Sequence, residues 1–293
     1  MDRVRHIATT WDGDRVAAAQ FEERVAVWNL RQRQQVSEFD TILGFGGRRL
    51  CITRDGRFVV AATYHTQGVA CYDANDGTLC WQRRGLKTAQ HVSIDDSSGT
   101  VLVSFEMRSA LALDLATGSE LSTARDVRKS FVSPHTQARA LAGKSGTVRI
   151  FTAPDPWSVR VRHPVLTIAF SPTAVAISEM GGPVSCYALE TGQEQWRQTW
   201  LPNEHAIRIG YVAAANAFAC VASRFDRGTQ DLVLIGVESG AIAQRHQGLS
   251  SPEFGFACRG SRVLLWDGSL IDTTSGVLVS KLPFPDVSQP PAS

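Results

Sequence analysis

The segment Tyr72-Asp-Ala-Asn-Asp-Gly-Thr-Leu-Cys-Trp81 decides the fold, because its pattern returns along the chain. A bulky apolar residue is followed by three variable positions, a small polar residue and glycine. Further copies read Leu113-Asp-Leu-Ala-Thr-Gly118, Tyr187-Ala-Leu-Glu-Thr-Gly192, Ile235-Gly-Val-Glu-Ser-Gly240 and Ile271-Asp-Thr-Thr-Ser-Gly276. Two degenerate copies, Trp28-Asn-Leu-Arg-Gln-Arg33 and Phe151-Thr-Ala-Pro-Asp-Pro156, fill the gaps. The seven anchors at 28, 72, 113, 151, 187, 235 and 271 stand 44, 41, 38, 36, 48 and 36 residues apart. Repeats of ~40 residues have the spacing of propeller blades. Each copy has a local cause. Asp, Asn, Thr and Ser bond to their own backbone in a turn, and Gly supplies the positive φ that a tight reversal needs.

Short alternating runs precede the anchors, as in Arg24-Val-Ala-Val-Trp28 and Thr147-Val-Arg-Ile-Phe151. They read as strands of four to six residues. A second turn series lies upstream of each anchor, including Arg54-Asp55-Gly56, Asp96-Ser-Ser-Gly99, His135-Thr-Gln137 and Ser171-Pro-Thr173. Each unit therefore reads strand a, tight turn, strand b, variable loop, strand c, tight turn, strand d. Closing such units in a ring protects their sheet edges. The expected fold is all-β: a seven-bladed β-propeller of four-stranded antiparallel blades, in one domain spanning 1–283. Strand a of the first unit is expected near Arg3–Thr10 and strand d of the last near Val277–Leu282, so no blade borrows a strand from the other terminus. The proline-rich end, 284–293, is expected to be a disordered tail.

Two families share these blade signatures. Tyr72-Asp-Ala-Asn-Asp-Gly-Thr-Leu-Cys-Trp81 and Tyr187-Ala-Leu-Glu-Thr-Gly-Gln-Glu-Gln-Trp196 resemble the repeats of quinoprotein-like propellers. Val27-Trp-Asn-Leu30 and Ala169-Phe-Ser-Pro172 resemble WD-repeat blades, although the Gly-His and Trp-Asp dipeptides of strict WD repeats are missing. The resemblance holds at blade level over nearly the whole chain. It implies an interaction platform. The quinone enzymes of the first family are longer and carry an adjacent cysteine pair, which this chain lacks, so no cofactor is expected.

Charge and composition narrow the partner. With 30 basic and 28 acidic residues, the chain lacks the cationic excess of a nucleic-acid binder. Met1–Thr10 has no apolar core of signal-peptide length, and no stretch has the ~18 apolar residues that cross a bilayer, so a cytoplasmic protein without membrane contact is expected. The six cysteines, Cys51, Cys71, Cys80, Cys186, Cys220 and Cys258, lack CxxC spacing and read as reduced packing residues. The seven histidines are scattered, with no HExxH pair and no expected metal site. Gly44-Phe-Gly-Gly47 lacks the Lys and helix of a phosphate loop, and no GxSxG elbow is present. The carboxylates Asp95-Asp96 and Glu22-Glu23 fall in turns, where solvation is expected.

In such blades the a–b and c–d turns share one face, and the b–c and d–a connections share the other. Variable loops on a rigid scaffold concentrate binding residues. The b–c loops place an aromatic residue or Met beside a charge at Phe21 and Arg24, Tyr64 and His65, Phe105, Met107 and Arg108, Met180, and Arg224, Phe225 and Arg227; Trp200 joins them from a long d–a connection. Aromatics, Met and Arg are enriched in interface cores. These residues form the expected site for another protein, with the propeller acting as scaffold or inhibitor, for instance as an immunity-type protein that caps a toxin. The rival expectation is a lyase or hydrolase with a small-ligand site in the central channel.

Overall fold

The computed structural model describes residues 6–10, 13–19, 24–42, 50–63, 68–106, 109–152, 155–199, 204–224, 230–249, 256–259, 262–265, 269–273, 275 and 277–281. Among them, the strands form seven four-stranded antiparallel sheets, each built from four strands consecutive in the chain. The first holds β1 (His6–Thr9), β2 (Arg15–Ala19), β3 (Arg24–Asn29) and β4 (Gln34–Asp40). The second holds β5 (Leu50–Ile52), β6 (Phe58–Ala62), β7 (Val69–Asp73) and β8 (Leu79–Arg83). The third holds β9 (Ala89–Asp95), β10 (Thr100–Phe105), β11 (Ala110–Asp114) and β12 (Glu120–Ala124). The fourth holds β13 (Lys129–Val132), β14 (Arg139–Ala142), β15 (Thr147–Phe151) and β16 (Trp157–Arg160). The fifth holds β17 (Val165–Phe170), β18 (Ala174–Glu179), β19 (Val184–Ala188) and β20 (Glu194–Gln198). The sixth holds β21 (Glu204–Val212), β22 (Ala217–Arg224), β23 (Gln230–Gly236) and β24 (Ile242–Leu249). The last holds β25 (Phe256–Arg259), β26 (Arg262–Leu265), β27 (Ser269–Asp272) and β28 (Leu278–Lys281).

This is a β-propeller. First strands pack on first strands around the axis, β1 on β5, β5 on β9 and β9 on β13, and again β17 on β21 and β21 on β25. β25 returns to β1. In the first sheet burial is deepest in the middle strands and lost at the rim. Val16–Ala19 of β2 are all buried, whereas no residue of the outer strand β4 is. Second and third strands are covered on both faces by neighbouring sheets, so they read as continuous small apolar runs such as Phe58-Val-Val-Ala-Ala62 rather than alternating ones. β1 and β28 fall where strands a and d of the terminal units are expected, and each end sheet is complete in itself. The tail beyond Lys281 lies outside the described residues.

The repeated motif is the joint between sheets. Its glycine takes a left-handed φ, +71° at Gly118 and +69° at Gly192. The bare Cα faces the indole of the preceding sheet's outer strand. A Cβ on Gly118 would stand 2.7 Å from the Trp81 ring, and one on Gly240 would stand 2.5 Å from Trp196. The same indoles donate their N–H to the turn carbonyls, Trp81 to Leu115 (2.7 Å), Trp157 to Leu189 (2.8 Å) and Trp196 to Val237 (2.6 Å). Phe39 occupies the same place over Gly77. So the Thr-Gly…Trp pattern couples one sheet's turn to its neighbour's rim.

Among the described residues no cysteine is in a disulfide: Cys71, Cys186 and Cys220 are buried and Cys51 is half-buried. Cys80 departs from the packing expectation. It is exposed on β8, an outer strand whose side chains have no further sheet to cover them.

Candidate functional site

The expected docking residues divide three ways. Arg24 and Met180 are exposed on the loop face. Arg24 pairs with Glu38 (3.2 Å) and Asp40 (3.6 Å) on β4, and Met180, 49% exposed, follows β18. Phe105 overturns its expectation. It is fully buried, packed among Val101, Val103, Leu111 and Leu113, because β10 continues far enough to carry its ring into the core between the second and third sheets. Phe21, Tyr64, His65, Met107, Arg108, Trp200, Phe225 and Arg227 lie outside the described residues, as do the Arg224 side chain and Gly44–Gly47.

The described part of the loop face holds a cleft of about 610 Å3 that the sequence reading missed. It is built from the b–c loop Gly143–Gly146, the d–a connection leading from β16 to β17, and the start of β13. Arg128, Lys129, Lys144, Arg160, Arg162 and His163 line it, and among the described residues none of its lining is acidic. Val161 is buried, which turns its neighbours Arg160 and Arg162 outward. Two carboxylates behind the cleft hold its walls. Asp126 accepts from the Lys144 amide (3.0 Å) and the Ser145 hydroxyl (2.7 Å). The Ser145 bond holds the Asp126 carboxyl below its usual range, against slight desolvation and helped by the Lys144 amide. Glu179, 2% exposed, accepts from the amides of Arg162 and His163, both at 2.9 Å. The signal in the sequence was the run Arg160-Val-Arg-His163 in a d–a connection, which a search for aromatics beside charges passes over.

The axis contains a channel of about 260 Å3, lined by first strands that include Thr9, Cys51, His91, Ser93 and Ser130. Its mouth on the turn face differs from expectation. The a–b turn of the fourth sheet, Ser133–Gln137, lines that mouth with Arg54, Asp95 and Asp96 in a hollow of about 370 Å3. The His135 ring meets Tyr211 of the sixth sheet edge-on at 5.0 Å. Burial, then the Arg54 cation, depresses the His135 pKa. Of the Asp95-Asp96 pair, Asp96 is exposed as expected and Asp95 is not. Asp95 is 4% exposed, and burial works to raise it, but donors from Ser97 and Ser98 and the Arg139 cation hold it low. Asp96 is raised, by burial and by the carboxylates of Asp55 and Asp95, although the Arg54 amide bonds to it. Among the described residues no three His, Cys, Asp or Glu side chains converge as a metal cluster would, and no helix is long and apolar enough to cross a membrane.

No family model matches this chain, and no curated protein does. Solved structures do. The β-propeller domain of Cps50 (Swd1) from Myceliophteria thermophila superposes with a TM-score of 0.73 at 10% identity, over 94% of this chain and 95% of that one. BamB from Moraxella catarrhalis superposes with a TM-score of 0.62 at 15% identity, over 88% and 80% respectively. At these identities the likeness shows the β-propeller fold alone.

Proposed function

We propose that this chain is a non-enzymatic, cytoplasmic protein-binding module, a ring of seven blades whose loop face docks another protein and thereby scaffolds or occludes it. The observation that carries the reading is a set of exposed side chains on anchored loop-face connections. Exposed Arg24, Met180, Lys144 and Arg162 all stand on loop-face connections. The connections of the fourth and fifth sheets are tied down by Asp126 and Glu179, so a partner meets a surface that needs little ordering on binding. An immunity-type inhibitor is the narrower form of this reading, in which the face covers a toxin's active site.

Affinity purification from the native host tests it, comparing wild type with Arg24→Ala/Met180→Asp on the loop face and Asn75→Asp on the turn face. A stoichiometric protein kept by Asn75→Asp and lost by the loop-face variant is the expected result. A partner kept equally by both variants overturns the docking face. For the inhibitor form, the captured protein must lose its activity in the complex.

A further inference from the structure

We infer that the cleft between the fourth sheet's b–c loop and the connection to the fifth is the subsite for an acidic peptide segment, a run of Asp and Glu on the partner; this rests on the docking role proposed above. Six basic side chains line one hollow, with no carboxylate among its described lining residues. In a chain of net charge +2, that is a local separation of charge rather than a general excess. Among the described residues Arg128, Arg160 and Arg162 form no ion pair, whereas Arg24, Arg31, Arg139, Arg197 and Arg245 all do. Two acids beside the cleft, Asp126 and Glu179, are spent on its walls, binding backbone amides and a hydroxyl. Lys129 is likewise committed, donating to the carbonyls of Val165 and Leu166 (2.9 and 2.7 Å), and Lys144 gives one donor to the Glu106 backbone carbonyl (2.6 Å). What remains is a set of guanidinium forks held apart on fixed loops, the geometry that takes carboxylates two oxygens at a time.

The occupant follows from shape and composition. A hollow of about 610 Å3 admits a few residues of extended chain. Among its described lining residues there is no Trp, Tyr or Phe on which a base could stack, and stacking supplies much of the affinity of single-stranded nucleic acid. Exposed Met180 donates its amide to the Pro164 carbonyl (2.9 Å), which sets an apolar side chain at the cleft's edge for a residue flanking the acidic run.

The test is fluorescence anisotropy on the full chain with a labelled ten-residue Glu/Asp peptide, beside a Gln/Asn peptide and a ten-nucleotide single-stranded DNA. The acidic peptide is expected to bind, and Lys144→Glu/Arg162→Glu to weaken it at least tenfold. Arg57→Glu, an exposed arginine on the opposite face, is expected to weaken it less than twofold. Rising salt should lower the affinity, and circular dichroism checks that both variants fold. Equal losses in the two variants, no preference over the Gln/Asn peptide, or tighter binding of the DNA would overturn the subsite. A native partner lost by Arg24→Ala/Met180→Asp but kept by Lys144→Glu/Arg162→Glu would overturn the subsite alone and leave the docking face standing.

Discussion

At the scale of single residues, the glycines separate two costs that are usually confounded. Gly99 and Gly118 both have positive φ, +60° and +71°, but a Cβ on Gly99 meets nothing within 4 Å, whereas one on Gly118 is driven into the Trp81 ring. Gly99→Ala should therefore cost only the left-handed strain, about 1 kcal/mol. Gly118→Ala adds overpacking at the joint, for a total of about 2–4 kcal/mol. Urea midpoints of the two variants check the difference, and equal losses would mean that the indole simply moves aside. Arg33 stands at the motif's glycine position with φ +53° and shows that the turn, not glycine itself, is what the repeat preserves. His135 gives the pH prediction. Its folded pKa lies below the ordinary 6.5, so the unfolded chain binds the proton first as pH falls. Its contribution to stability is present above pH 6.5 and is lost as pH drops through the folded value. Thermal melts over that window should show His135→Gln less sensitive to acid than wild type.

At the scale of elements, a buried ionic triad ties the sixth sheet together. Arg245 on β24 reaches Glu204 on β21 (2.9 Å) and Asp231 on β23 (2.7 Å), spanning the whole sheet. The Glu204 side chain is fully buried, so Arg245→Met would strand its charge and should cost about 3–5 kcal/mol in a denaturant titration. A loss under ~1 kcal/mol would place the triad with ordinary surface pairs. Nothing in the sequence announced this triad, because its members are 27 and 14 residues apart and pair only through sheet register. The repeat itself was legible: Asp-Gly…Trp at 76–81 and Thr-Gly…Trp at 191–196 is local chemistry that recurs, and recurrence survives without a partner in view. Side-chain direction was not. Phe105 and Glu106 are neighbours at a strand end, and one more residue of pairing, Phe105 with Ala89, sends the ring into the core instead of out to solvent. The cleft escaped for a related reason. Its cations come from three separate connections that only the ring's closure gathers.

At the scale of the whole molecule, the joints are not alike. The first and second, second and third, fourth and fifth, and fifth and sixth sheets each meet through an aromatic ring laid over a turn glycine, with an apolar cluster shared between them. The third and fourth do not. The anchor at Phe151 lacks the glycine, β12 (Glu-Leu-Ser-Thr-Ala) lacks the aromatic, and among the described residues no apolar cluster bridges the two sheets. Polar contacts stand in: Ser93 with Ser130 (2.9 Å), Ser104 to the Arg128 carbonyl (2.6 Å) and Arg139 with Asp95 (3.6 Å), beside one ring contact of His91 with Phe131. Apolar burial is what resists local opening, so this joint should open more easily than those four. Native-state hydrogen exchange should find β13 amides exchanging through a smaller opening free energy than those of β21, whose joint with the fifth sheet has both indole and cluster. Equal protection would mean that closure of the ring, rather than any joint, sets local stability. Because Arg128 and Lys129 of the basic cleft begin the very strand at this joint, an acidic peptide bound there should slow β13 exchange while leaving β21 unchanged.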